Sequence, residues 1–146
     1  MMTRFDDWEM RLDTFIQKRM KTPFRWGSHD CAIFAYDAVL MMTGIDIAER
    51  FRGKYSNKSE ADQEMIGIAG GGLEEMVEFF AATHAMTEIE RPFASRGDLA
   101  LSHVQTAIGL DLPSLGIVGM SNLICAAGLF ELQHFEIDKG ERFWRL

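Results

Sequence analysis

The stretch Pro23-Phe24-Arg25-Trp26-Gly27-Ser28-His29-Asp30-Cys31-Ala32-Ile33-Phe34 carries the most chemistry. It sets a cysteine at the expected first turn of an apolar helix, behind a turn-forming glycine and a polar cap. A cysteine nucleophile must be a thiolate. Backbone N–H groups and the dipole at a helix N-terminus lower a thiol pKa. The same N–H groups can hold an oxyanion. The position equally suits packing, because free cysteine is a common core residue. His29 stands two residues before the thiol, on a turn where histidine is usually solvated. Cys125, in Leu123-Ile124-Cys125-Ala126-Ala127, reads as core. Trp26, Tyr55 and Trp144 either line a groove or fill the core. His, Cys, Asp and Glu show no metal-ligand spacing. Gly70-Gly71-Gly72 has no strand before it and no Gly-Lys-Ser/Thr after it, so it is not a phosphate loop. No metal and no cofactor are expected.

Helices must position the thiol. Phe5, Trp8, Leu12, Phe15 and Ile16 recur at helical spacing, predicting an amphipathic helix over about 4–20, with Pro23 closing it. Ser28, His29 and Asp30 supply N-cap chemistry for a second helix. Its inner face would be Cys31, Phe34, Ala35, Ala38 and Met42, and Gly44 would follow its end. A short turn is expected around Ile47 to Phe51. Ser59-Glu60-Ala61-Asp62 resembles a capping box, and the triple glycine breaks that helix. Leu73, Met76, Val77 and Phe80 begin another. His84 follows its end, where a cation suits the dipole.

After residue 85 the pattern turns to short β-like runs: Met86–Glu90, Asp98–Val104, Leu115–Gly119, Leu123–Ala127, Phe135–Ile137 and Phe143–Leu146. Met120-Ser121-Asn122 and Asp138-Lys139-Gly140 read as hairpin turns. Helices first and antiparallel strands later predict one α+β domain over 1–146, with helices packed on one sheet.

The chain has 146 residues, 47% hydrophobic and 25% charged, with a formal net charge of -7. That balance argues against nucleic-acid and anionic-membrane partners. Arg50, Arg52, Lys54 and Lys58 read as a solvated loop. Two cysteines are too few for a disulfide framework, and both are expected reduced, as in a cytosol. The opening Met1 to Trp8 has no apolar signal core, so delivery elsewhere would need another carrier.

Asp30-Cys31-Ala32-Ile33-Phe34 at a helix start, followed by Arg96-Gly97-Asp98-Leu99-Ala100-Leu101 at a strand start, resembles the NlpC-type, papain-like cysteine hydrolases. Trp26-Gly27-x-x-Asp30-Cys31, Arg52-Gly53-Lys54-Tyr55 and the closing Phe143-Trp144-Arg145-Leu146 resemble the short phage tail-module branch of that group. The resemblance implies a papain-like α+β fold with Cys31 as nucleophile and Trp26, Asp30, Tyr55 and Ser114 around the substrate. It implies tail hub or tail-tip proteins as partners and peptidoglycan peptides as a candidate substrate. The location implied is synthesis in a bacterial cytoplasm and incorporation into the virion.

In active members of that group a histidine opens the strand after Gly-Asp-Leu and acts as base. The matching segment here is Ser114-Leu115-Gly116-Ile117-Val118-Gly119, so Ser114 stands at the histidine position. A serine hydroxyl cannot take the thiol proton near neutral pH. His103, toward the end of the Gly-Asp-Leu strand, is the candidate replacement, because that end neighbours the start of the next antiparallel strand. His134 is a weaker one. The expectation is a phage tail component with a papain-like fold and weak or absent activity. The alternative is an active cysteine endopeptidase or amidase cutting peptidoglycan peptides during genome entry.

Overall fold

The computed structural model describes residues 2–103 and 112–146. Four helices come first: α1 Trp8–Arg19, α2 Cys31–Thr43, α3 Lys58–Ala69 and α4 Leu73–Thr83. Six strands follow: β1 Thr87–Ile89, β2 Leu99–Ser102, β3 Ser114–Val118, β4 Leu123–Ala127, β5 Leu132–Glu136 and β6 Gly140–Arg145. All the pairings are antiparallel, in the order β1-β6-β2-β3-β4-β5. The architecture is α+β, helices followed by one antiparallel sheet. No helix among the described residues is long and apolar enough to cross a membrane.

α2 is apolar nearly all round, and it lies at the centre. Ile33, Phe34, Ala35, Tyr36, Ala38, Val39 and Met42 are fully enclosed. Burying each large member of such a set stabilises by roughly 1.5–3 kcal/mol. Asp30 caps the helix, its Oδ1 accepting from the Ile33 N–H at 2.9 Å. Gly44 ends it in the left-handed conformation, at φ 79. One charge is buried within it. Asp37 accepts from Arg19 of α1 at 3.0 Å and pairs with Arg52 at 2.7 Å, tying α1 and the loop after α2 to the central helix.

Several boundaries differ from those the sequence predicts. α1 starts at Trp8 rather than near residue 4, and Phe5 instead donates its amide to Met42 O at 2.8 Å. Asn57, not Ser59, caps α3, accepting from the Glu60 N–H at 2.9 Å. The basic cluster is not simply solvated. Arg52 also pairs with Asp46 at 2.8 Å, Lys58 with Asp62 at 2.7 Å, and Arg50 lies over the Phe79 ring. The expected strand end at Val104, and residues 105–111 of the loop beyond it, lie outside the described residues.

Asp138-Lys139-Gly140 is not a hairpin turn. β5 pairs with β4, whereas β6 lies between β1 and β2. A short 3-10 turn, Ile137–Lys139, joins β5 to β6 across four inter-strand steps. A flat sheet would separate those strands by about 19 Å. The chain from Glu136 to Gly140 reaches at most about 14 Å. The sheet therefore curls. Its inner face holds a second apolar cluster, Ala100, Val118, Ile124 and Phe143, with Phe135 and Ile137 packed on it. The opposite face, carrying Leu99, Leu101, Leu115, Ile117 and Trp144, joins the helices in the main core.

Candidate functional site around Cys31

The turn before α2 is built so that Cys31 opens the helix. Arg25 and His29 exchange backbone bonds at 3.0 and 2.9 Å. Gly27 sits at φ +83, and a Cβ there would meet Tyr55 O at 2.3 Å. Only glycine fits that approach. The Gly27 carbonyl accepts from the Gly53 N–H at 2.8 Å, which holds the Arg52-to-Tyr55 loop beside the turn.

Asp30 is buried with neutral donors alone. Its carboxylate accepts from the Gly27 N–H at 3.1 Å, the Ile33 N–H at 2.9 Å and the Tyr55 hydroxyl at 2.5 Å. Burial raises its pKa, and those three bonds and the Ala32 amide oppose the rise. Tyr55, itself buried beside Asp30, is also pushed upward.

Cys31 is half-buried, and the net shift of its pKa is upward although the helix start works against the rise. Burial, with the neighbouring Asp30 charge second, pushes the thiol up to about 11. The Leu115 amide, the Ser114 hydroxyl and the Ala32 amide act in the opposite direction and lose. Removing a thiolate from water costs more here than these donors return.

Ser114 faces the thiol from the sheet. It opens β3, is buried, and its hydroxyl lies against the Cys31 thiol. Its Oγ makes no well-formed hydrogen bond among the described residues. His103 is turned elsewhere. Its Nδ1 lies 2.5 Å from Glu141 Oε2 on β6, and β6 and β3 flank β2 on opposite sides. The Glu141 carboxylate claims the ring expected to serve the thiol.

His29 is not a solvated loop residue. It is 4% exposed, packs edge-on to Phe34, and has Nδ1 3.2 Å from Arg19 Nη1. Arginine only donates, so Nδ1 accepts and the proton sits on Nε2. Burial and the Arg19 charge lower its pKa to about 4, so the ring is neutral at pH 7. His134 is exposed on β5 opposite Cys125, and His84 caps α4. No imidazole is among the groups acting on the Cys31 thiol in the described residues. No three His, Cys, Asp or Glu side chains in those residues are grouped to hold a metal.

Cys31 opens on a cavity of about 170 Å³. Trp26, Asp30 and Tyr55 border it on the α2 side, and Leu112 and Pro113 close it before β3. Its far wall is Ala61 and Met65 of α3 with Leu73 and Met76 of α4. The sequence singles out Trp26, Asp30, Cys31 and Tyr55, which border the cavity, but not that wall. Its only signal is methionine on amphipathic helices, which marks core and pocket alike.

The Gly-Asp-Leu element has a structural task. Asp98 is fully buried, accepts from Arg145 Nε and Nη2 at 3.0 and 2.9 Å and from the Ser95 N–H at 2.8 Å, and faces Arg4 at 3.8 Å. It fastens both ends of the chain to β2.

Residues 3–146 match the family model of a domain of unknown function (DUF6950). No curated protein and no solved structure matches the chain.

Proposed function

We propose that this chain, which belongs to the family of domains of unknown function DUF6950, is a phage tail-tip or tail-assembly component with a papain-like, NlpC-type framework and little or no hydrolase activity. The framework rests on the sequence resemblance together with a thiol at the start of a central helix facing an antiparallel sheet. The observation that carries the loss of activity is at the thiol. Cys31 is held up at about 11, and a serine rather than an imidazole lies against it. Amide hydrolysis by cysteine needs a base to make thiolate and an acid to protonate the departing amine. Ser114 supplies neither near neutral pH. The partners are tail hub or tail-tip proteins, and the groove keeps its Trp26, Asp30 and Tyr55 border as a binding feature.

The test is incubation of purified protein with muropeptides, read by mass spectrometry. No turnover is expected. Turnover that disappears in both Cys31→Ala and His103→Ala would establish the alternative, an active endopeptidase or amidase with His103 as base. Turnover lost in Cys31→Ala and kept in His103→Ala would move the base to His29 or His134. The tail assignment is tested separately, by looking for the chain in purified virions.

A further inference from the structure

Close-packed interiors leave few voids larger than a water molecule. The pocket beside Cys31 is larger than that, about 170 Å³, and is partly open to solvent. An enclosed apolar void of about 150 Å³ takes up benzene, so a pocket of this volume has room for one group of that size. Ala61, 5% exposed, stands in the wall where a larger side chain would fill the space. Met65 and Met76 face it with unbranched thioethers that adapt to varied shapes. Polar groups sit around it, with the Lys58–Asp62 pair at 2.7 Å and Glu64. An apolar interior with a few polar groups is the usual build of a ligand site.

The apolar surface continues outward. Trp26 borders the cavity and meets Phe24 edge-on, with ring centroids 4.9 Å apart. The Phe24 N–H donates to Leu129 O at 3.0 Å, which brings the β4–β5 loop alongside. That loop carries Leu129, 45% exposed, and Phe130, 79% exposed. Neither residue lines the cavity, but exposed apolar side chains linked to its rim through Phe24 and Trp26 fit a contact surface.

We propose that the cavity between α2, α3 and α4 is a receptor pocket for one compact apolar group, of aryl or branched-aliphatic size, and that the Phe24–Phe130 lip carries the rest of a longer ligand. The group could belong to a free small molecule or to an apolar side chain on a peptide. The inference goes beyond the loss of hydrolase activity, because binding in the pocket requires no reaction at the thiol.

Indole is the first probe, with the full chain, read by thermal shift and by protection of Cys31 from N-ethylmaleimide at pH 9. A saturable rise in Tm is expected, with alkylation slowed about tenfold at ten times the Kd. Ala61→Phe should abolish both effects while keeping or raising the Tm of the unliganded protein. Met65→Trp serves the same purpose if Ala61→Phe fails to fold. A short peptide amide with one central tryptophan should bind more tightly than indole and lose that margin in Phe130→Ser. A peptide no tighter than indole would keep the pocket, assign it to free small molecules and overturn the lip. Absence of any saturable indole effect, or an effect undiminished in the filled variants, would overturn the pocket itself.

Discussion

The two cysteines occupy opposite kinds of surroundings. Cys125 is 3% exposed, and burial alone raises its pKa to about 12. Among the described residues its one side-chain hydrogen-bond contact is the Leu123 carbonyl at 3.8 Å, an acceptor that offers nothing to a thiolate. Cys31 is raised as well, to about 11, but two amides and a hydroxyl work against the rise, and it borders a cavity. The difference shows what a helix start contributes once it is buried. It supplies the Ala32 amide, β3 adds the Leu115 amide and the Ser114 hydroxyl, and the desolvation that comes with the same location outweighs all three.

The largest expected contrast is in access. At pH 9, a small maleimide should alkylate Cys31 at least about 100-fold faster than Cys125, whose exposure requires opening of the fold. Peptide mapping of the labelled protein measures the ratio, and equal rates would erase the distinction between the two sites.

A pH series sharpens the contrast. Cys31 alkylation should rise about tenfold per pH unit up to about 11. A plateau reached below pH 7 would reveal an imidazole partner. The linkage has a definite sign. Stability held while the thiol is neutral is lost as pH climbs from the unfolded value of about 8.5 toward the folded one. Asp30→Asn keeps a good helix cap and removes the neighbouring charge. It should speed Cys31 alkylation at pH 8 by about threefold to tenfold and leave Cys125 unchanged.

The thiols should also differ as packing groups. Cys125→Ser buries a hydroxyl whose nearest polar partner is distant, and chemical denaturation should show a loss of about 1–2 kcal/mol. Cys31→Ser, with Ser114 and backbone amides at hand, should cost less than half of that. The smallest effect belongs to Ser114→Ala. Loss of its hydroxyl should slow Cys31 alkylation less than about threefold and change stability by under about 1 kcal/mol, since Oγ makes no well-formed hydrogen bond.

Much of the frame is local and legible in the amino-acid sequence. The Asp30 cap, the apolar run of α2 and Gly44 after it are decided by neighbours along the chain, and so are the β4 limits, whereas β5 and β6 begin three residues before the runs Phe135–Ile137 and Phe143–Leu146, and Ile137 lies in the turn between them. Tertiary structure decided the rest. Asp138-Lys139-Gly140 has turn composition, but composition does not specify which strands a turn joins, and curling of the sheet sends β6 to β2 rather than β5. His29 has the sequence setting of a solvated residue, yet α1 covers it and Arg19 reaches its ring. His103 lies near the right strand end, but the Glu141 carboxylate on β6 holds it, a contact between residues 38 apart in sequence. The Cys31 pKa turns on the same distinction. The Ala32 amide is inherent in the start of a helix, whereas the Leu115 amide and the Ser114 hydroxyl come from β3 and, like the burial that overcomes all three, act only once the helix is packed on the sheet.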